Sequence, residues 1–503
     1  MIDTNLAFSR SLATAAKLAD SATDAHRFTD KLVLLTGEIE ILELENGGFC
    51  FLDALRLLVR TVTNVEVFVP QRQAKLRAEA EQLARKIEFG NAVRFLDEAP
   101  ALDGYDAILN IGWQVFPSLP STTINANGWI ARVSSKGTPL SKDCGQANPV
   151  AALGAACLGI SDVFKRLICL RESRADVFDG LEFSLYTCDT EEVSPGFPLP
   201  KQLVLPPTLI AGCGAIGNGI ILLLSQLQPA GDIWLLDRQE FGDENLGTCV
   251  MLGPSGIGKP KAKFLAAELV GITGLQPVPL VDEMASIKRV FGTEIPYPEL
   301  VLSGFDNVAA RHQLQDLWPD MVVDGGISEF GVQALSHGWG SSRQCLKCHF
   351  VPPKASDHRQ VAAEVTGLSH ARITDADALI TEEDVELAPV DKQPWLRERI
   401  GKKTCSVVSE ATIQALSDVD SGKEFSPSVP FVACMSATLV VARALAAQME
   451  TGRAMSSFFT FDMLQGPANG FVLNEPAKAS CECVGRAGVI NRWKAERSVI
   501  GIS

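Results

Sequence analysis

Between Thr208 and Leu227 the chain reads TLIAGCGAIGNGIILLLSQL, a short apolar run, a turn punctuated by Gly212, Gly214 and Gly217, and a long aliphatic stretch. The pattern predicts a strand, a tight loop and a helix. Glycines at G-x-G-x-x-G spacing let the backbone turn sharply and come close to an anion, while the free N–H groups and positive dipole end of the helix face it. A further strand, DIWLLD, ends in Asp237 about 20 residues beyond the glycines, where a carboxylate can accept hydrogen bonds from ribose hydroxyls. These features constrain the region to an α/β fold with a nucleotide site, without saying which nucleotide.

The 503 residues give room for two or three domains with real cores, and 46% hydrophobic with 21% charged content is ordinary for a globular chain. The net charge of −15 argues against nucleic acid or an anionic membrane as the principal partner. The N-terminal stretch has no cationic region followed by an apolar core, and no run of about 18 uninterrupted apolar residues occurs, so a cytoplasmic location is expected. Thirteen cysteines are an odd number, which makes a disulfide framework a poor explanation and leaves buried thiols, metal ligands or a nucleophile.

The first half also alternates strands and helices. KLVLLTGEIEILEL reads as a strand-like stretch, Asn46-Gly47-Gly48 as a glycine turn, FCFLDALRLLVRT as a helix and VEVFVP as the next strand. Five prolines between Glu191 and Pro207 mark a boundary between a domain over 1–195 and another over 196–503, the latter with an insert at about 352–428. Across that boundary the elements match in order: YDAILNIG with ELVLSGFD, INANGWIARVS with VDGGISEFGVQALS, NPVAALGAACLGISDVFKRL with VPFVACMSATLVVARALAAQ, and LEFSLYTCD with SSFFTFDML. The chain reads as one domain written twice. The competing reading is that two unrelated α/β domains share the alternation. Only the second copy carries the full glycine motif, so the first is expected to be degenerate.

After Asp237 come Asn245-Leu246, Lys261 in GKPKAKF, Asp306 in SGFDN, GGISEFG, Cys345-Leu346-Lys347-Cys348 and, near the end, Cys481-Glu482-Cys483. In this order the stretch from Thr208 to Val484 resembles the ubiquitin-activating enzyme superfamily, which includes the adenylyltransferases of molybdopterin and thiamine synthesis. The resemblance implies two Rossmann-like adenylation domains in a pseudo-dimeric arrangement, the first degenerate and the second active. It implies that Gly212, Gly214 and Gly217 form the phosphate loop for ATP, that Asp237 binds ribose, that Asn245 belongs to the Asn-Leu-x-Arg-Gln motif, that Lys261 contacts phosphate and that Asp306 associates with Mg²⁺. Without that context Lys261 reads as a solvated helix-face lysine beside Lys259 and Lys263, and Asp306-Asn307 as a helix N-cap. Two departures stand out: Gly247-Thr248-Cys249 lacks the family's arginine, so another arginine must compensate, and Gln239 replaces a second aspartate. Arg10 falls where the family carries an arginine that reaches into the opposite site, though a plain surface arginine fits as well.

The cysteines divide by spacing. Cys345 and Cys348 at CxxC, with Cys481 and Cys483 at CxC, supply the four thiolates of a closed structural Zn²⁺ site, the alternative being reduced, unmetallated thiols. Cys405 follows the basic run RERIGKK, and nearby cations favour a nucleophilic thiolate. It also falls where the family carries its transferable cysteine, whereas Cys434, in FVACMSATLVV, reads as a buried helix face. The expected activity is therefore adenylation of a ubiquitin-like protein, thioester formation on Cys405 and transfer to a ubiquitin-conjugating-type enzyme. The alternative within the superfamily is an adenylyltransferase for a sulfur-carrier protein or peptide with no thioester step. An NAD-dependent oxidoreductase would use Asp237 but leaves Lys261, Asp306 and the cysteine pairs unexplained, and Thr248 leaves room for a non-catalytic scaffold.

Overall fold

The computed structural model describes residues 7–8, 11–12, 14, 31–90, 92–168, 176–191, 193–271, 274–350, 362–363, 365–375, 378–404, 407–408, 429–449 and 457–500. The chain divides into two compact units, one of residues 1–350 with 427–503, the other of residues 351–426.

The larger unit is built on two sheets. The first contains β1 (Leu32–Gly37), β2 (Asn64–Phe68), β3 (Ala92–Leu96), β4 (Ala107–Ile111), β5 (Ser121–Asn127), β6 (Ile130–Ser134) and β7 (Leu181–Ser184), in the order β3-β2-β1-β4-β5-β6-β7. The second contains β8 (Thr208–Ala211), β9 (Ala230–Leu236), β10 (Gly274–Leu280), β11 (Leu300–Ser303), β12 (Met321–Ser328), β13 (Gly331–Gly338), β14 (Phe458–Asp462) and β15 (Phe471–Leu473), in the order β10-β9-β8-β11-β12-β13-β14-β15. Strand for strand the order is the same, with one extra edge strand in the second. In each, five parallel strands give way to antiparallel ones at the same place. The inner parallel strands LVLL and TLIA are covered on both faces, which is why they read as unbroken apolar runs.

Helix α1 (Glu45–Thr61) follows β1, α2 (Ala74–Ile87) follows β2, and α3 (Pro149–Leu167) follows β6. In the second half α4 (Ala215–Leu227), α5 (Lys261–Leu269), α6 (Val308–Gln315) and α7 (Pro430–Gln448) come in turn, and α8 (Ala487–Ile500) closes the chain. The matching helices α3 and α7 pack on each other and join the two halves into one core. In α3 only Arg166 escapes burial, and α7 is buried without a break from Pro430 to Ala446. By length and composition α7 could cross a membrane, but 94% of its most apolar window is buried against protein, so it serves as a core helix. Gly219 lets α4 approach it: a Cβ there would lie 2.6 Å from Cβ of Ala437. Phe164 of α3 meets Phe330 and Phe431 at 5.8 and 5.5 Å between ring centres, which adds an aromatic cluster across the halves.

One reading of the first half needs correction. Asn46, Gly47 and Gly48 do not form a turn; they lie in the first turn of α1, and the stretch before them splits into β1 and a short helix, Ile39–Leu42. A Cβ on Gly47 would lie 2.0 Å from the Ile41 carbonyl oxygen, so this glycine serves close packing of α1 on the preceding helical turn. The Asn46 amide donates to the carbonyls of Ala126, Cys144 and Gln146 and anchors the start of α1.

The smaller unit holds the short helices His370–Thr374, Glu382–Leu387 and Gln393–Arg397 around Leu368, Ile380, Val385, Ala388, Leu396 and Val407. Thr381 and Asp384 cap the second of these helices reciprocally, and Arg372 pairs with Asp384 at 2.7 Å. Cys405 and Arg10 lie outside the described residues.

Candidate active site

The chain order of the second sheet reverses between β8 and β11, where loops from neighbouring strands diverge and leave a crevice. A cavity of about 680 Å³ opens there. Gly212, Gly214, Asp237, Asn245, Lys261 and Asp306 all line it, so the structure brings six of the expected nucleotide residues to one place. Gly217, the remaining one, sits behind the loop. Gly212 has φ +91°, the left-handed region that a side chain would strain. A Cβ on Gly217 would lie 2.1 Å from the Gly212 carbonyl oxygen, so the helix start can fold over the turn only with glycine there. A Cβ on Gly214 would meet nothing within 4 Å, which leaves the backbone open towards the cavity.

The remaining groups are held by short contacts. Asp237 accepts from the Cys213 and Gln239 N–H groups, both at 2.8 Å, which fixes the carboxylate beside the glycine loop. Lys261 opens α5 and is 6% exposed, so it is not a solvated surface lysine; its Nζ donates to Gln239 Oε1 at 2.7 Å. Gln239 thus gives Lys261 a neutral partner where a carboxylate would offset its charge. Asn307 does cap α6, accepting from the Ala310 N–H at 2.7 Å, which leaves the exposed Asp306 facing the cavity. Asn245 accepts from the Gly242 N–H at 3.0 Å and shapes the turn that leads to Thr248 and Cys249. Burial pushes the Cys213 thiol well above its ordinary range, so it is a packing residue of the loop.

Sequence reasoning missed Arg311 and Asp324. Arg311 Nε pairs with Asp324 at 2.9 Å, and Arg311 lines the cavity beside Gly326 and Gln333. Burial pushes the Asp324 carboxyl up to about 6 although Arg311 opposes the shift. Nothing in AARHQL distinguishes Arg311 from a surface arginine; its place on α6 opposite β12 does.

The four cysteines also come together. Sγ atoms of Cys345, Cys348, Cys481 and Cys483 lie within 4.8 Å of one another, with 3.8 Å from Cys345 to Cys348, 3.7 Å to Cys481 and 3.5 Å from Cys348 to Cys483. A tetrahedron with metal–sulfur bonds of about 2.3 Å has edges of about 3.8 Å, so this donor set fits one metal ion. The Lys478 N–H donates to Cys348 Sγ at 3.4 Å, and Lys347 bridges Asp316 and Glu482 at 2.5 and 2.7 Å. The cluster therefore clips the C-terminal region to the short helix Leu346–His349. Cys434 is fully buried in α7, as its neighbours suggest.

An α/β fold with a glycine loop, a buried lysine and strand-end aspartates in one crevice has the form of a nucleotide-binding site. The sequence model of the ThiF family matches residues 201–483, more than half of the chain, and the protein belongs to that family. Over 325 residues, 63% of this chain, it is 25% identical to the uncharacterized protein y4jF of Sinorhizobium fredii (strain NBRC 101917 / NGR234). That match spans 60% of the relative's length. Among solved structures it is similar to Escherichia coli MccB with ATP, at 14% identity and a TM-score of 0.36 over 56% of this chain and 67% of that one. MccB with MccA-N7isoASN gives 14% identity and a TM-score of 0.35 over the same shares.

Proposed function

We propose that this protein is an ATP-dependent adenylyltransferase that activates the terminal carboxylate of a peptide or of a small sulfur-carrier-type protein. The observation that carries the reading is the single cavity that holds the glycine loop, Lys261, Asp306 and Asp237 within a ThiF-family chain. ATP would lay its phosphates over the Gly212–Gly214 backbone and the N-terminus of the 13-residue helix α4, with ribose hydroxyls donating to Asp237. The substrate carboxylate oxygen would attack the α-phosphorus. The bond from that phosphorus to the β-phosphate's bridging oxygen would break, and pyrophosphate would leave with the electron pair. Lys261, held in place by Gln239, offsets the charge that grows on the leaving group. Mg²⁺ at Asp306 would supply further countercharge to the polyphosphate.

In this reading the two halves are paired adenylation-type domains, about 1–195 and 196–503, with the first degenerate, and the cysteine cluster holds a structural Zn²⁺ that plays no part in the reaction. The reaction proposed here ends at the acyl-adenylate. The test is calorimetric titration with Mg·ATP and, separately, with NAD. Binding of Mg·ATP that Lys261→Ala abolishes supports the reading, and binding of NAD without ATP overturns it. A thiol-sensitive adduct with a ubiquitin-like protein that requires Cys405 would extend the reaction to thioester transfer.

A further inference from the structure

The chain Asn245–Gly253 forms one wall of the cavity through Asn245, Thr248 and Cys249, yet much of what fixes it belongs to the other half of the protein. Arg60, near the end of α1, is fully buried. Its Nε donates to the Cys249 carbonyl at 3.2 Å, its Nη2 to the Leu252 carbonyl at 2.6 Å and its Nη1 to the Arg56 carbonyl at 2.8 Å. Arg56 adds a bond from Nη1 to the Val250 carbonyl at 3.3 Å. Two glycines of the same chain press on the first half and the N-terminal segment. A Cβ on Gly253 would lie 2.0 Å from the Lys86 carbonyl oxygen, and one on Gly247 would lie 2.2 Å from that of Ala7.

The contacts continue into the phosphate loop. The Met251 N–H donates to Asn218 Oδ1 at 3.2 Å, and the Asn218 amide donates to the carbonyls of Cys213 and Gly214 at 3.1 and 3.0 Å. A buried hydrogen-bonded path therefore runs from the Arg60 guanidinium through residues 249–252 and Asn218 to the two carbonyls that set the orientation of the glycine loop. A buried guanidinium is costly unless its N–H groups are satisfied, and here backbone carbonyls satisfy Nε, Nη1 and Nη2.

We infer that Arg60 of the degenerate half is a positioning residue for ATP in the other half, holding the 249–252 chain and, through Asn218, the phosphate loop in the shape that receives the polyphosphate. This rests on the reading of the cavity as an ATP site. Lysine cannot substitute, because one ammonium on a straight stem does not present the planar fork that spans the Cys249 and Leu252 carbonyls.

The experiment is calorimetric titration of the full-length wild type, Arg60→Met and Arg60→Lys with Mg·ATP, alongside melting temperature and amide hydrogen exchange over residues 212–218 and 245–253. The expected result is that both variants bind ATP at least tenfold more weakly than wild type. Both should exchange faster at 249–252 and in the phosphate loop while keeping wild-type protection in β1 and β4. A wild type that does not bind ATP removes the cavity reading itself. A wild type that binds, with variants that melt earlier but bind within twofold of it, leaves Arg60 a packing residue and overturns the inference. If Arg60→Met does not fold, Arg60→Lys, which keeps the stem and charge, decides between the same two results.

Discussion

The two halves share a strand order but differ where the central strands end, and the difference comes down to a few residues at matching places in the ladders. Gly37 pairs with Ile111 in the first sheet as Ala211 pairs with Ser303 in the second, so Glu38 corresponds to Gly212, Gly112 to Gly304 and Gln114 to Asp306. Continuing the register from Leu35 and Val67, Pro70 takes the place of Asp237. Gly212 turns with φ +91°, whereas Glu38 stays extended at φ −80° and the chain enters a helix at Ile39. The Glu38 carboxylate then accepts from the Trp113 and Gln114 N–H groups at 3.0 and 2.8 Å and from the Asn110 amide at 3.1 Å. An anion of the chain itself satisfies the loop after β4, while the corresponding loop in the second half lines an open cavity. The lesson is that topology supplies a crevice and a handful of backbone choices decide whether it is filled from within or left for a ligand.

The largest expected effect separates the halves by activity. Lys261→Ala or Asp306→Ala should lower ATP–pyrophosphate exchange on the order of 10²–10³, as loss of a preorganised charge does, while Gln114→Ala should leave it unchanged. An equal loss from Gln114→Ala would mean that the first crevice is active as well. Next in size is the four-cysteine cluster, which among the described residues occurs in the second half. Cys348→Ser should take elemental zinc from about one per chain to none and lower the melting temperature by about 5–10 °C, because metal binding is linked to folding. Carefully prepared wild type without zinc would show that the thiols pack unmetallated.

Smaller still is the filled crevice. Glu38→Ala exposes unsatisfied N–H groups and should cost about 1–3 kcal/mol in denaturant unfolding with ATP affinity intact. A drop in ATP affinity instead would tie the first crevice to catalysis. The smallest effect concerns Asp324, whose ladder counterpart in the first half is the apolar Ile124. Burial raises its carboxyl from 3.8 to about 6, so the folded state keeps a proton that the unfolded chain has released between those values. This group therefore disfavours the folded state increasingly as pH rises through that window. Losing the proton also restores the full charge pairing with Arg311 at the cavity edge. The exchange rate should show an inflection of less than tenfold near pH 6 that Asp324→Asn removes; a persistent inflection would assign it to another group.

The sequence by itself determined the strand, glycine loop and helix at Thr208–Leu227, because the positive φ at Gly212 and the helix start over Gly217 demand those residues locally. It also determined the pairing of elements between the halves, since buried parallel strands and buried helices leave apolar runs of characteristic length, and it grouped Cys345, Cys348, Cys481 and Cys483 by spacing. Only the tertiary structure decided that Asn46-Gly47-Gly48 belongs to a helix, because what makes Gly47 glycine is a carbonyl from the preceding turn. The partnership of Arg311 with Asp324, the Glu38 carboxylate on the loop after β4 and the reach of Arg60 to residues nearly two hundred positions away all depend on which loops meet at a sheet end. Those meetings are set by the packing of α3 on α7 and by ladder register, long-range properties that no local residue pattern encodes.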